Sequence, residues 1–147
     1  MDRQARVWVV LLTSCLAWTV GCGGRAGTAH VSGRVVYTDG TVPQGAVCVV
    51  LFQPAADSPA EIRKAATGVI EADGFFEAFT RKPGDGVFVG KYDVTFSIMK
   101  DGSDANSSLI DPKYTRAATT PHHVTIEGDV TDLEFQLEPP ITPGAKP

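Results

Sequence analysis

The sequence predicts an all-β domain, an antiparallel two-sheet β-sandwich of about seven strands. Three observations carry that expectation. Seven short apolar or alternating runs fall within about 110 residues, with turn signals between them. One of them, "GKYDVTFSIM" (Gly90–Met99), alternates strictly, with Tyr92, Val94, Phe96 and Ile98 on one side and Asp93, Thr95 and Ser97 on the other. No segment carries a convincing 3.6-residue period, and "AEIRKAA" (Ala60–Ala66) is the only candidate for a helical turn.

The elements follow in order. "HVSGRVVY" (His30–Tyr37) is β-rich and stops at "TDG", a turn signal. "GAVCVVLF" (Gly45–Phe52) is nearly all apolar, as a strand covered on both faces would be. After the polar loop "PAADSPAEIRK", the run "AATGVIEADGFFEAF" reads as a hairpin, with Asp73-Gly74 turning between Ala65–Glu71 and Phe75–Phe79. The alternating strand comes next. Lys100–Pro121 is a long polar stretch without apolar periodicity, expected to carry whatever specificity exists and to be docked on the sandwich by Tyr114. "HVTIEG" (His123–Gly128) and "TDLEFQLE" (Thr131–Glu138) are the last strands. The domain is thus expected over residues 30–138, with a frayed tail over 139–147.

Composition narrows the function classes. A 147-residue chain with 43% apolar residues can bury one real core. The net charge is −4, and neither sign forms a block. Nucleic acid is therefore not an expected partner, because neutralising phosphates needs clustered Lys and Arg.

The first 24 residues are a different material. Arg3 and Arg6 precede an apolar run from Val7 to Val20, and small residues follow. That is the n-region, h-region and processing site of an export signal, too short for a spanning helix of about 20 apolar residues. "TVGC" (Thr19–Cys22) resembles the lipobox of bacterial lipoproteins, although Thr19 stands where leucine is usual. The resemblance implies removal of residues 1–21, acylation of Cys22 with chains such as palmitate, and a tether over 22–29. Ordinary signal cleavage after "GTA" (Gly27–Ala29) and an uncleaved anchor are the alternatives. Loss of Asp2, Arg3 and Arg6 would take the charge to −5, and Trp8, Trp18 and Cys15 would go too. With Cys22 taken by the lipid, Cys48 would stand alone without a disulfide partner, and "AVCVVLF" makes it a small buried hydrophobe.

The stretches "VSGRVVYTDGTVPQGAVCVVLFQP" and "ATGVIEADGFFEAFTRKPGDGVFVGKYDVTF" resemble the carboxypeptidase regulatory-like, or transthyretin-like (prealbumin-like), sandwich. "DPKY" (Asp111–Tyr114) matches a segment often found in small bacterial lipoproteins of that kind, whereas "TTPHH" departs from the usual continuation. The resemblance spans roughly Val31–Leu137. It implies the sandwich but no activity: the peptidase domain with its zinc site is missing, and the Tyr-Arg-Gly-Ser ending of the hydroxyisourate-hydrolysing branch is replaced by "PPITPGAKP".

Chemistry-bearing residues are sparse. Gly84, Asp85 and Gly86 are expected to turn the chain. A phosphate cradle would need a helix behind the glycines, and "YDVTFSIM" is a strand. Tyr92, two residues after Gly90, has the look of a tyrosine corner, in which the hydroxyl bonds nearby backbone. A metal held by Asp73 or Asp85 is the minor alternative. His122 and His123 are adjacent and would face opposite sides of a strand, and His30 opens the first strand, so none is expected to ligate a metal. "DGSDANSS" (Asp101–Ser108) lacks the spacing of a calcium loop and reads as a mobile tip. No nucleophile–base motif is present. The expectation is a non-enzymatic binding or interaction module without a cofactor. It would be lipid-anchored to the cell membrane or outer membrane and face the periplasm or exterior, its partner an envelope protein or a glycan. A carbohydrate-binding module is the alternative, weakened because the processed chain keeps no tryptophan on which to stack sugars.

Overall fold

The computed structural model describes residues 27–104 and 106–140; the leader, Cys22 and residues 141–147 lie outside them. Nine strands are formed among the described residues: β1 (Thr28–Ala29), β2 (Val31–Tyr37), β3 (Val47–Pro54), β4 (Ala66–Val69), β5 (Phe75–Ala78), β6 (Val87–Phe88), β7 (Gly90–Met99), β8 (His123–Ile126) and β9 (Val130–Leu137). A 3-10 turn at Pro112–Thr115 is the one helical element there. One sheet runs β5-β2-β9 and the other β4-β3-β7-β8, while β1 and β6 form a small separate pair. This is an all-β sandwich, and each of the seven expected strands is present.

Four details depart from the sequence reading. First, β2 and β9 run parallel, whereas the other strand pairs are antiparallel. The register shifts between Val31 and Gly33. Any Cβ at Gly33 would collide with the Leu133 carbonyl, so only glycine lets the two backbones come this close. Second, the expected hairpin opens. β4 joins one sheet and β5 the other; they stay linked by the turn, where Glu71 N donates to Phe75 O, and by the Thr67–Phe79 bridge. Third, Ala60–Ala65 is irregular rather than a helical turn, and Ala66 already belongs to β4. Its apolar residues are too few to bury a helical face. Fourth, Thr28 and Ala29 belong to the domain and not to a tether, since they pair with Phe88 and Val87 and Ala29 is buried.

Phe135 on β9 lies at the middle of the core. Its ring meets Phe52, Phe76, Phe96 and His122 at centroid separations of 5.5 to 6.2 Å. Val31 and Val35 from one sheet and Val50, Val94 and Ile98 from the other complete the buried layer. The alternation along β7 does point Val94, Phe96 and Ile98 inward. Thr95, however, is only 1% exposed although it faces outward. Its cover comes from elsewhere in the chain.

That cover includes the long connection after β7. β8 pairs only with Gly90–Asp93, so the rest of the β7 edge needs other partners for its backbone groups. The connection supplies them. Val94 N donates to His122 O, Thr120 Oγ1 donates to Val94 O, and Leu109 N donates to Ile98 O. Within it, "DPKY" is a capped turn: Asp111 accepts from Lys113 N at 2.8 Å and Pro112 opens the 3-10 turn. Tyr114 docks as expected. It is buried, stacks on His122 at 5.7 Å, and accepts from Glu138 N through its hydroxyl. The Asp101–Ser108 tip closes on itself, with the Ser107 hydroxyl within hydrogen-bond distance of both the Asp101 and the Asp104 carbonyl.

Candidate functional site

The glycine-rich stretch is architecture. Gly84 and Gly86 sit at φ 82° and 77°, a conformation that side chains disfavour. Between them the Asp85 carboxylate accepts from the backbone N–H groups of Thr80, Arg81 and Lys82 at 2.8 to 3.2 Å. Partial desolvation works upward on this carboxyl, but the three N–H donors outweigh it and hold it below the usual range. Both oxygens are thus committed to the turn. Asp73 caps its own turn through Phe75 N and pairs with Arg34 at 3.3 Å. Tyr92 donates its hydroxyl to Phe88 O at 2.7 Å, closing the expected corner at the start of β7.

The three histidines go separate ways. His30 lies between β1 and β2 rather than opening a strand, with its N–H on Asp129 and its ring 3.6 Å from Glu77. His123 pairs with Asp93 at 2.8 Å on the surface. His122 turns inward between Phe96, Tyr114 and Phe135, and its Nε2 is buried without a protein partner. No three His, Cys, Asp or Glu side chains converge as metal ligands among the described residues. Cys48 is half-buried against the core rather than fully covered, and burial pushes its thiol up, away from reactivity.

His122 makes stability depend on pH. Burial pushes its imidazole below the ordinary value; the nearby Gln136 backbone opposes this, and His123 and Lys113 reinforce it. The unfolded chain then binds this proton more readily than the native one. Stability is complete above about pH 6.5 and declines as the pH falls below it. The urea midpoint of the protein should drop between pH 7.5 and 5.5, and His122→Phe should shrink that drop. Equal drops in the two proteins would mean that another group titrates.

A groove that no sequence motif marks runs over the outer face of β3 and β7. Its floor is Leu51 and Gln53 from β3 with Thr95, Ser97 and Met99 from β7; its wall is Asn106, Ser108, Pro112, Thr115 and Arg116 from the long connection. Cross-strand register builds the floor, because Leu51 lies opposite Thr95 and Gln53 opposite Asp93. Gln53 Nε2 donates to Thr95 Oγ1 at 3.1 Å. Amide, hydroxyl and guanidinium groups thus border an apolar strip in one open depression. The Thr115 hydroxyl donates to Pro112 O and the Ser108 hydroxyl to Ile110 O, so neither is paired with a base. The groove can recognise polar groups, but it holds no nucleophile–base arrangement among these contacts. A second cleft, near Asp57, Lys91, Asp93 and His123, has these side chains already engaged with one another in the Lys91–Asp57 and His123–Asp93 contacts. The Lys91 hydrogen bond and charge hold the Asp57 carboxyl below its usual range.

No helix among the described residues is long and apolar enough to cross a membrane. No protein-family model, curated protein or solved structure matches the chain.

Proposed function

We propose that this protein is a non-enzymatic, lipid-anchored module of the cell envelope that binds a partner in the groove between the β3–β7 face and the Lys100–Pro121 connection. The observation that carries the binding surface is the groove's lining. Gln53, Asn106, Thr115 and Arg116 present hydrogen-bonding groups around Leu51 and Met99, on a wall fixed by buried Tyr114 and Thr120. A polar rim about an apolar strip suits a protein segment, which brings both kinds of group. The leader and Cys22 support an anchor on the cell membrane or outer membrane, with the domain facing periplasm or exterior. Resemblance to carboxypeptidase regulatory-like lipoproteins supports the same reading.

The carbohydrate alternative is less favoured. Sugars stack on exposed aromatic faces, whereas Tyr37, Tyr92 and Tyr114 are buried and the exposed Phe75 lies on β5, in the sheet away from the groove. A photo-crosslinking residue at Asn106, used in intact cells, tests the choice. A defined envelope protein should be captured, and Arg116→Ala should reduce its yield several-fold, while the same probe at Glu134 on the other sheet should capture none. Crosslinked polysaccharide would favour the alternative, and equal capture from Asn106 and Glu134 would remove the groove from the proposal.

A further inference from the structure

We infer that the apolar lip made by Ile62, Phe88 and Val89 is a membrane-docking face that lies against lipid when the protein is anchored. The inference rests on acylation at Cys22. Ile62 and Val89 are 39% and 38% exposed, two of the four large apolar side chains left open among the described residues. They line one groove with Gly27, Glu61 and Phe88. The lip is preset by the fold. Ser58 Oγ accepts from Lys91 N at 2.9 Å, and the Arg63 guanidinium donates to Ala55 O at 2.6 Å, tying down the loop that carries Ile62. Val89 N donates to Gly27 O at 2.7 Å, which seats the lip beside the first described residue.

The chain length selects the occupant. Four residues, Gly23 to Ala26, separate Cys22 from Gly27. Even fully extended, that connection spans at most about 18 Å. An acylated Cys22 at the bilayer surface therefore keeps Gly27, and the lip next to it, within reach of lipid. The exposed Val69 is placed differently: it pairs through Val49 with Ser97, seven residues along β7 from Gly90, or roughly 23 Å at about 3.3 Å per residue. Charge does not explain docking, because the processed chain carries net −5 once Asp2, Arg3 and Arg6 are gone. Contact must come from the apolar side chains, so it should not need anionic lipid.

The test uses the processed, full-length protein in phosphatidylcholine vesicles, with and without phosphatidylglycerol, each containing bromine-labelled acyl chains. Since the leader carries Trp8 and Trp18, Val89→Trp would provide the single tryptophan of the processed chain. Its emission should shift to the blue and be quenched by the bromolipid to a similar degree in both vesicles, as should that of Ile62→Trp. Val69→Trp should stay unquenched. Adding Ile62→Asp to Val89→Trp should cut the quenching several-fold while the protein still pellets with the vesicles. If mass spectrometry finds an acylated Cys22 and the Val89→Trp protein is no more quenched than the Val69→Trp protein, the lip is wrong and the anchor stands. Blue-shifted but unquenched emission would overturn lipid as the occupant. An unmodified N-terminus beyond Cys22 would overturn the anchor and the docking face together.

Discussion

Phe96→Ala should destabilise the domain by about 3–5 kcal/mol, the range for deleting a buried aromatic side chain. Phe96 is 1% exposed and meets Phe135 at 5.5 Å and His122 at 5.4 Å, so its loss opens a cavity between the sheets and beside the long connection. Those neighbours are themselves held by Phe52, Phe76 and Tyr114, which limits collapse into the gap. Denaturant titration of the wild type and of Phe96→Ala, Thr95→Val and Asp93→Ala measures the contrast along one strand. Asp93→Ala removes only a surface pair with His123 and should cost about 0–1 kcal/mol. Thr95→Val keeps the shape but strands the Gln53 amide, at about 1 kcal/mol. The alternation alone expects both outward residues to be cheap. A cost at Phe96 no larger than at Thr95 would mean that the inner face of β7 is not the core.

Why Thr95 escaped the sequence reading is a matter of range. Period-two alternation reports which side of the strand a residue takes, and Thr95 does take the outer side. It does not report that a segment more than ten residues later returns along the same strand. The strands themselves were legible, because turn residues at Asp39-Gly40, Asp73-Gly74 and Gly84–Gly86 punctuate them locally. The tyrosine corner was legible for the same reason: Tyr92 and the Phe88 carbonyl it binds are four residues apart. Pairing was not. Parallel β9 and an antiparallel partner would show the same Leu133, Phe135, Leu137 alternation, and the closeness that demands Gly33 involves a strand 100 residues away. The candidate groove is non-local throughout. Its two sides come from β3, β7 and the connection, and single polar residues such as Gln53 and Arg116 carry no motif.

His122 shows what the connection does for the fold. Two adjacent histidines are expected to face opposite sides, and they do: His123 is exposed and paired with Asp93, while His122 is packed among three aromatic rings. The inward one ties the β7 edge, the Tyr114 turn and β9 into one unit. The groove wall therefore rests on the core rather than hanging from a free loop. Such a wall can hold its polar groups in place before a partner arrives, which reduces the ordering cost of binding.

Cys22→Ser should move the protein from the membrane fraction to the soluble fraction, or leave it unprocessed, while Cys48→Ser stays membrane-bound. The two cysteines differ in setting and not in chemistry. Cys22 follows an arginine-flanked apolar run and small residues, the pattern that export machinery processes. Cys48 lies on β3, half-buried against the core, opposite Ile98, with its thiol pushed up by burial. A single myristoyl-length chain binds membranes only marginally, whereas two or more hold stably, so the expected anchor carries several. The exposed area of the lip is too small to replace them: Ile62 and Val89 together leave less than one whole side chain open. Loss of the acyl group should therefore release the protein even with the lip intact. Fractionation with and without detergent reads this directly. If Cys22→Ser remains with the membrane after processing, the acyl anchor is wrong and the apolar leader or the domain surface must hold the protein there.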